Sequence, residues 1–313
     1  MVTQQERDEF FMRRCLQLAA QGRQNAKPNP MVGAVIVSEE GNIIGEGYHV
    51  RCGEGHAEVN AFASVRPGDE CLLPSSTIYV SLEPCAHYGK TPPCADLIVS
   101  KGVRRVVCGC VDPFAKVRGR GIERIRQAGI SVTVGVLRQE CEELNKRFFT
   151  FHRYRRPYII LKWARTADGF LDDHFHPIAL STSFTKMLSH RLRAENDAIL
   201  VGRVTDEREH PSLTTRYWPG LDPQRIVLGN GMDIHRLMEE LYQRQVQSLV
   251  VEGGAKTHQS FIAAGLYDEI RVETAPFLVG DGTPAPHLPG GLRLESQQHY
   301  DGNTITNYRR DEY

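Results

Sequence analysis

Apolar positions take up a helical rhythm almost at the start of the chain. Phe10, Phe11, Cys15, Leu18 and Ala19 recur at helical intervals, and Thr3-Gln4-Gln5-Glu6 ahead of them has the spacing of a capping box. Met31 to Val37 is a short, mostly apolar run, as a buried strand is. Glu40-Gly41-Asn42 turns it into a second strand around Ile43 and Ile44, an antiparallel hairpin. His56 to Val65 reads as a helix stopped by Arg66-Pro67-Gly68. Strand and helix then alternate: strand Thr77–Leu82, a helix from about Pro92 to Lys101, strand Arg104–Cys108, helix Gly121–Ala128 and strand Ser131–Val136. A helix from Arg138 to Phe149 closes the unit. A hairpin followed by alternation predicts an α/β fold, a mixed sheet with helices on both faces.

The pattern restarts at Tyr158. Strand Tyr158–Trp163 leads to a helix near Phe184–Arg193, then strands Ala198–Val201 and Arg225–Leu228. Helix Ile234–Arg244, strand Ser248–Val251, helix Lys256–Ala264 and strand Glu269–Glu273 follow. This half is α/β too, with a core of its own.

Length and cysteine usage sharpen the division. At 313 residues the chain is long for one core, and domain-size statistics favour two. All eight cysteines lie between Cys15 and Cys141. With no secretion signal in Met1 to Asp8, such clustering points to metal ligation or buried thiols before disulfides. The boundary is expected near residue 150, with His152-Arg153-Tyr154-Arg155-Arg156-Pro157 as a linker, giving domains 1–150 and 151–313. Lys+Arg and Asp+Glu both count 38, so no net field attracts nucleic acid or anionic lipid. Any phosphate must be held locally by a few placed basic residues. No apolar run approaches the ~18 residues of a membrane span, and the expected location is cytoplasmic.

Three groups carry chemistry: His56-Ala57-Glu58, Pro84-Cys85 and Pro92-Pro93-Cys94. One imidazole and two thiolates form a three-ligand zinc set that leaves a fourth position for water. Cys94 falls in the first turn of its helix, where Thr91 is placed to cap, Pro92 suits the first position and the dipole favours a thiolate. Glu58 is then a proton shuttle, taking a proton from that water and returning one to the leaving group. Residues two apart do not share a helix face, so His56 and Glu58 must converge at the helix mouth by some other means. A structural zinc site, or two unrelated buried cysteines, is the plain alternative.

His-x-Glu followed by Pro-Cys-x-x-Cys is the zinc deaminase signature, and the resemblance here is one of recognition. Eight residues rather than two separate Cys85 from Cys94. That long segment, Pro84-Cys85-Ala86-His87-Tyr88-Gly89-Lys90-Thr91-Pro92-Pro93-Cys94, resembles the deaminase half of the bifunctional riboflavin-biosynthesis deaminase–reductases. So do Lys27-Pro28-Asn29-Pro30-Met31-Val32-Gly33-Ala34, Gly47-Tyr48-His49, and Asp112-Pro113 with Lys116-Val117-Arg118-Gly119-Arg120-Gly121. The resemblance implies a cytidine-deaminase-like fold and places Asn29, His49, His87 and Lys90 on the substrate. Gly119 and Gly121 open a helix whose N–H groups are available to a phosphate. The family usually has asparagine where this chain has Phe114, which weakens any base contact there.

In the second half the residues alone say less. Val250-Val251-Glu252-Gly253-Gly254 is a strand entering glycines and a helix, either a pyrophosphate cradle or a plain turn. Leu161-Lys162-Trp163-Ala164-Arg165-Thr166-Ala167-Asp168-Gly169, Arg191-Leu192-Arg193-Ala194-Glu195, Ile199-Leu200-Val201-Gly202, Thr205 and Pro211-Ser212-Leu213-Thr214 resemble the reductase half of the same family. That half is similar to dihydrofolate reductase in fold and uses NADPH. The resemblance assigns Ala164, Thr205, Glu209, Gly254, Ala255, Lys256, Thr257, His258 and Gln259 to the cofactor. It assigns Arg193, Leu213, Arg216 and Glu252 to substrate. His210 and Glu209 depart from the family pattern. Gly229 runs almost directly into the Asp233–Arg244 helix, where the family has several dozen more residues.

The expected function is two successive steps of riboflavin synthesis. Zn2+ in the first domain would support hydrolytic deamination of 2,5-diamino-6-(5-phosphoribosylamino)pyrimidin-4(3H)-one. NADPH in the second would reduce the ribosyl chain to ribityl. The alternative is a deaminase whose shortened reductase domain is inactive. Expected partners are the small phosphoribosyl-pyrimidine and further copies of the chain in a homo-oligomer, with no nucleic acid and no membrane.

Overall fold

The computed structural model describes residues 2–87, 92–114 and 117–311. It forms two compact units, Met1–Tyr154 and Arg155–Tyr313. No helix among the described residues is long and apolar enough to cross a membrane.

The first unit opens with α1 (Gln4–Ala19), which has a complete capping box between Thr3 and Glu6. β1 (Gly33–Val37), β2 (Ile43–Tyr48), α2 (Ala57–Ala63), β3 (Thr77–Leu82), α3 (Cys94–Lys101), β4 (Arg105–Cys110), α4 (Arg120–Gln127) and β5 (Ser131–Val134) follow. The sheet order is β2-β1-β3-β4-β5, antiparallel across β2, β1 and β3 and parallel from β3 to β5. Ala61, Phe62, Ile98 and Ile125 of α2, α3 and α4 bury one face against Ile36, Ile78 and Val106. Phe11, Cys15 and Leu18 of α1 cover the other face with Cys141, Phe148 and Phe149.

The single helix expected over Arg138–Phe149 is two, α5 (Arg138–Leu144) and α6 (Lys146–Tyr154). Asn145 explains the break. Its amide accepts from the backbone N–H of Met31 and donates to the Met31 carbonyl, both at 2.8 Å. That grip anchors the loop carrying Asn29 and holds Asn145 out of helical geometry (φ −107°, ψ 22°). The basic stretch expected as a linker begins in helix, since α6 runs to Tyr154.

Asp8 sits buried beneath β3 and β4, its carboxylate gripped by Arg105 at 2.6 and 2.8 Å and by the Tyr79 hydroxyl at 2.9 Å. Burial pushes its pKa up, but the bonds from Arg105, Tyr79 and Gln4 together outweigh burial and hold it below the usual range. A depressed folded-state value stabilises the unit above the unfolded value of about 3.9, and that stability is lost as pH falls through the folded value. Asp8→Asn leaves Arg105 without its carboxylate and is expected to cost about 3–5 kcal/mol. Chemical denaturation followed at pH 7 measures the loss. A loss smaller than about 1 kcal/mol would assign Asp8 the weight of a surface pair.

The second unit comprises β6 (Tyr158–Arg165), α7 (Ser183–Ala194), β7 (Ala198–Gly202), α8 (Arg203–Glu209), β8 (Gln224–Leu228), α9 (Ile234–Gln243), β9 (Ser248–Val251), α10 (Ala255–Ala263), β10 (Glu269–Thr274), β11 (Leu292–Tyr300) and β12 (Asn303–Arg310). The seven-stranded order is β11-β12-β10-β6-β9-β7-β8, parallel from β10 to β8 and antiparallel at β12 and β11. Ile159, Leu161 and Trp163 centre the main core with Leu237, Leu241 and Phe261. The periodicity above does not anticipate α8 or the β11–β12 hairpin. β11 is largely exposed and so lacks apolar alternation, yet Asp301-Gly302 at its turn has positive φ at both residues (49° and 88°), the geometry that favours Asp-Gly.

Candidate active sites

Topology gathers the first site. β1 runs antiparallel to β3, so the start of β1, the end of β2 and the carboxyl ends of β3 and β4 all lie along one edge. Asn29 precedes β1, His49 follows β2, Cys85 follows β3 and Asp112 follows β4. Ligand crevices in α/β sheets form at such carboxyl edges.

His56 is the N-cap of α2, in extended conformation (φ −70°, ψ 169°), and Glu58 stands in the first helical turn. An extended cap aims its side chain differently from a helical residue, which is how two positions two apart meet. Cys94 is the first residue of α3, with Pro93 as the N-cap, so Pro92 lies outside the helix rather than at its first position. His56 Nδ1 lies 3.5 Å from Cys85 Sγ and 3.4 Å from Cys94 Sγ, and the three ligand atoms lie within 4.8 Å of one another. Around tetrahedral zinc, with bonds of about 2.3 Å to sulfur and about 2.0 Å to nitrogen, those atoms stand about 3.5 Å apart. The set fits zinc.

Electrostatics support the same centre. The Cys94 thiol, the His56 ring and the Cys94 backbone N–H, 3.3 Å away, draw the Cys85 thiol down to about 4. Cys94 itself is pushed up, chiefly because Cys85 sits beside it. A divalent cation here would balance the charge of both sulfurs. Glu58 is 3% exposed, and burial followed by the Cys85 charge raises its carboxyl to about 7.

His49 is buried, with Nδ1 3.1 Å from the Gly55 carbonyl and Nε2 3.1 Å from the Asn29 amide. Burial lowers its pKa, and a neutral ring donating from Nδ1 accepts the Asn29 N–H at Nε2. Both nitrogens thus have protein partners, and His49 orients Asn29. His87 is exposed at the rim, its ring 6.4 Å from Phe114, which meets His152 at 5.0 Å. Lys90 and Thr91 lie outside the described residues.

The expectation that Gly119 and Gly121 present free N–H groups to a phosphate is corrected. The Glu83 carboxylate already accepts from Gly119 at 2.9 Å, Gly121 at 3.0 Å and Asp112 at 3.3 Å. Gly121 is required for a different reason: a Cβ there would lie 1.9 Å from the Pro84 carbonyl oxygen. Glu83 and Gly121 therefore clamp the turn carrying Cys85 onto α4. Sequence reasoning passed over Glu83, although an acid next to Pro84-Cys85 was visible.

In the second unit, β7 and β9 are parallel neighbours whose carboxyl ends lead into α8 and α10. A Cβ on Gly202 would lie 2.3 Å from Thr257 Oγ1, one on Gly253 2.8 Å from Thr257 Cβ, and one on Gly254 3.3 Å from Thr205 Oγ1. Gly254 caps α10 with no side-chain hydrogen bond, leaving the helix N-terminus to a ligand phosphate. Thr205, Gly254 and Thr257 therefore meet, and Ala255 and Lys256 continue the first turn. The glycines at 202 and 253 let the Thr257 side chain pack against the ends of β7 and β9. Ala164 is partly buried near the end of β6, Glu209 ends α8, and Gln259 is exposed on α10. His258 is different: it is fully buried, its ring nitrogens 3.1–3.2 Å from the carbonyls of Gly254, Lys162 and Val251. Its side chain fastens α10 to the sheet, and the cofactor assignment for that ring is corrected.

Arg193 and Glu252 meet in a two-bond pair at 2.7 and 3.1 Å, and Arg193 also donates to the Thr214 carbonyl. Burial pushes the Glu252 carboxyl up, but Lys162 and Arg193 hold it below the usual range. Arg216 is exposed and donates to Thr214 Oγ1 at 3.0 Å. Leu213 turns its buried side chain against Ile199 and Val201, its backbone at φ 53°. Lys162, a lysine inside a buried strand, and His190, whose Nδ1 accepts from Tyr217 N–H, complete a neighbourhood to which the sequence assigned only four roles.

Residues 5–110 match the family model of the cytidine and deoxycytidylate deaminase zinc-binding region. Residues 157–231 and 231–305 match that of the RibD C-terminal domain, in two stretches that meet at the short Gly231 junction. The riboflavin biosynthesis protein RibD of Aquifex aeolicus is 36% identical, over 88% of this chain and 89% of that protein. That of Escherichia coli is 35% identical, over 92% and 93%. A crystal structure of a diaminohydroxyphosphoribosylaminopyrimidine deaminase/5-amino-6-(5-phosphoribosylamino)uracil reductase from Thermotoga maritima superposes with a TM-score of 0.90 at 30% identity, covering 99% of this chain and 100% of that one.

Proposed function

The chain belongs to the RibD family of riboflavin biosynthesis proteins, and from that premise we propose that it deaminates 2,5-diamino-6-(5-phosphoribosylamino)pyrimidin-4(3H)-one and then reduces the deaminated product. The enzyme is bifunctional, with a zinc deaminase unit followed by an NADPH-dependent reductase unit. The observation that carries the reading is the convergence of His56, Cys85 and Cys94 beside a buried glutamate.

His56, Cys85 and Cys94 would hold the zinc, which when bound supplies an acidified water to the ring carbon bearing the amine. Glu58 takes up the proton and delivers it to the departing amine, placed for both by its position in the first turn of α2. Asn29, oriented by His49, keeps its carbonyl and second N–H for the pyrimidine edge. His87 and Lys90 complete the substrate contacts on the long loop. Glu83 and Gly121 hold Cys85 in place without touching substrate.

In the second unit Thr205, Gly254, Ala255, Lys256 and Thr257 would hold NADPH, with Ala164, Glu209 and Gln259 at the edge of that site; NADPH supplies the reducing equivalents. Arg216 and Arg193 serve the sugar phosphate, each with a planar donor fork, while Glu252 serves the ribose hydroxyls and Leu213 lies beside them. None of the eight cysteines forms a disulfide, and two of them are the proposed zinc ligands, which supports a reducing, cytoplasmic setting.

Mass spectrometry of products from the diaminopyrimidinone substrate, with and without NADPH, tests the function. Exchange of the ring amine for oxygen, with ammonia released, is expected without NADPH, and a further gain of two hydrogens with it. Ammonia loss that NADPH never extends would leave only the deaminase.

The two arginines should behave differently. Arg216→Ala removes an exposed donor and is expected to raise the substrate KM of reduction roughly 10- to 150-fold, with NADPH affinity unchanged. Arg193→Ala strands the buried Glu252 carboxylate, so it should also destabilise the second unit by about 3–5 kcal/mol. Fluorescence titration with NADPH, steady-state reduction and thermal denaturation separate the two. Equal stability loss in both variants would contradict the assignment.

A further inference from the structure

β10 is flanked on both sides, by β6 and β12, and its alternation sends Ile270 and Val272 into the main core. Arg271 and Glu273 face the other side. A charge at such a position loses hydration and needs partners. Glu273 has them, accepting from Ser181 Oγ at 2.8 Å and from Asn303 Nδ2 at 2.6 Å. Arg271 makes no hydrogen bond and no ion pair among the described residues. Burial holds its pKa below the usual arginine range, although the group stays charged.

Arg271 lines a cavity of about 210 Å³ between α7 and the strands β10 to β12, together with Arg191, Gln298, Tyr300 and Asn307. Glu195, the carboxylate on its wall, is held by Arg191 at 2.9 Å. Asn307 donates to Ser296 Oγ at 2.9 Å and the Tyr300 hydroxyl donates to Gln298 at 2.6 Å. The Glu273 and Glu252 carboxylates act on Arg271 only through their charge. The Arg271 fork, five donors and no acceptor, is left with no hydrogen-bond acceptor among the described residues. Water occupies about 30 Å³ per molecule in the liquid, so the space suits a few waters or one tetrahedral oxyanion. It is smaller than the ~300 Å³ at which cofactor and drug-sized pockets begin. None of the residues assigned to either reaction lines it.

We propose that this cavity is an anion site, in which Arg271 holds a phosphate-class oxyanion by a two-bond guanidinium contact. The source is either free phosphate or the phosphate of a small sugar ester.

The test is calorimetric titration of inorganic phosphate, against chloride at matched ionic strength, into full-length zinc-loaded protein saturated with NADPH. Saturable binding is expected, and Arg271→Leu should weaken it at least about tenfold. Leucine suits a covered strand position; Arg271→Gln, which keeps polarity without charge, is expected to give the same loss should the leucine variant fail to fold. Arg216→Ala should keep the binding, which separates this cavity from the substrate site. Ribose 5-phosphate in a parallel titration distinguishes the sources: Arg271-dependent binding as tight as phosphate admits the sugar ester, and weaker binding restricts the site to the free anion. Absence of saturable binding, or unchanged affinity in both Arg271 variants, overturns the proposal. So would a dimer that depends on Arg271 and ignores phosphate, since the occupant would then be a carboxylate of a second copy.

Discussion

Glu58→Gln is expected to keep its fold and its zinc while deamination falls by about 10²–10⁴-fold, the usual contribution of a positioned proton-transfer group. The amide has the shape of the carboxyl but cannot take or return a proton. Its burial is tolerable because it removes a negative charge that burial and the Cys85 thiolate already disfavour. Reduction of pre-deaminated substrate should proceed at the wild-type rate, because the residues proposed for NADPH and ribose all lie in the second unit. Ammonia release in single turnover, metal analysis and NADPH oxidation give the three readouts. Normal ammonia release would mean that a different group moves the proton, and Asp112, pushed to about 7 chiefly by burial after β4, would be the next to replace.

Cys94→Ser is expected to reduce zinc from about one ion per chain toward none after dialysis against a chelator, with deamination lost and the first unit less stable. Loss of an outer partner that merely orients a ligand already weakens metal binding about 10- to 100-fold, so loss of a ligand atom exceeds that. The position suits a metal ligand: Cys94 begins α3 and its Sγ stands 3.4 Å from His56 Nδ1, while its thiol, pushed up by the neighbouring Cys85, needs a cation to become a thiolate. A serine hydroxyl is a harder, less acidic donor at the same place. Elemental analysis and activity decide it. Full zinc occupancy in this variant would remove Cys94 from the ligand set.

Much of this architecture was legible in the chain because its signals are local. The Thr3–Glu6 capping box, the Ile36 to Ile44 hairpin and the strands at Thr77 and Ser248 follow from side-chain periodicity and turn chemistry within a few residues. The β11–β12 hairpin shows the limit. Its edge strand is wet, so nothing apolar marked it, and only Asp301-Gly302 signalled a turn. The split at Asn145 was illegible for another reason: its cause, Met31, lies 114 positions away.

The donor set His56, Cys85 and Cys94, which the structure brings together, was legible through its His-x-Glu and Pro-Cys signature, and the same signature marked Glu58 as the proposed acid. What sequence could not decide was direction. Tertiary structure placed His56 in an extended N-cap, so that it shares a centre with Glu58. It filled the helix mouth at Gly119 with the Glu83 carboxylate instead of a phosphate, and turned the His258 ring inward to carbonyls. It joined Arg193 to Glu252 across 59 positions. The physical reason is common to all four: a side chain's partners are set by which strand ends the sheet brings together, and a buried charge or donor must find its partner there, however far away in sequence.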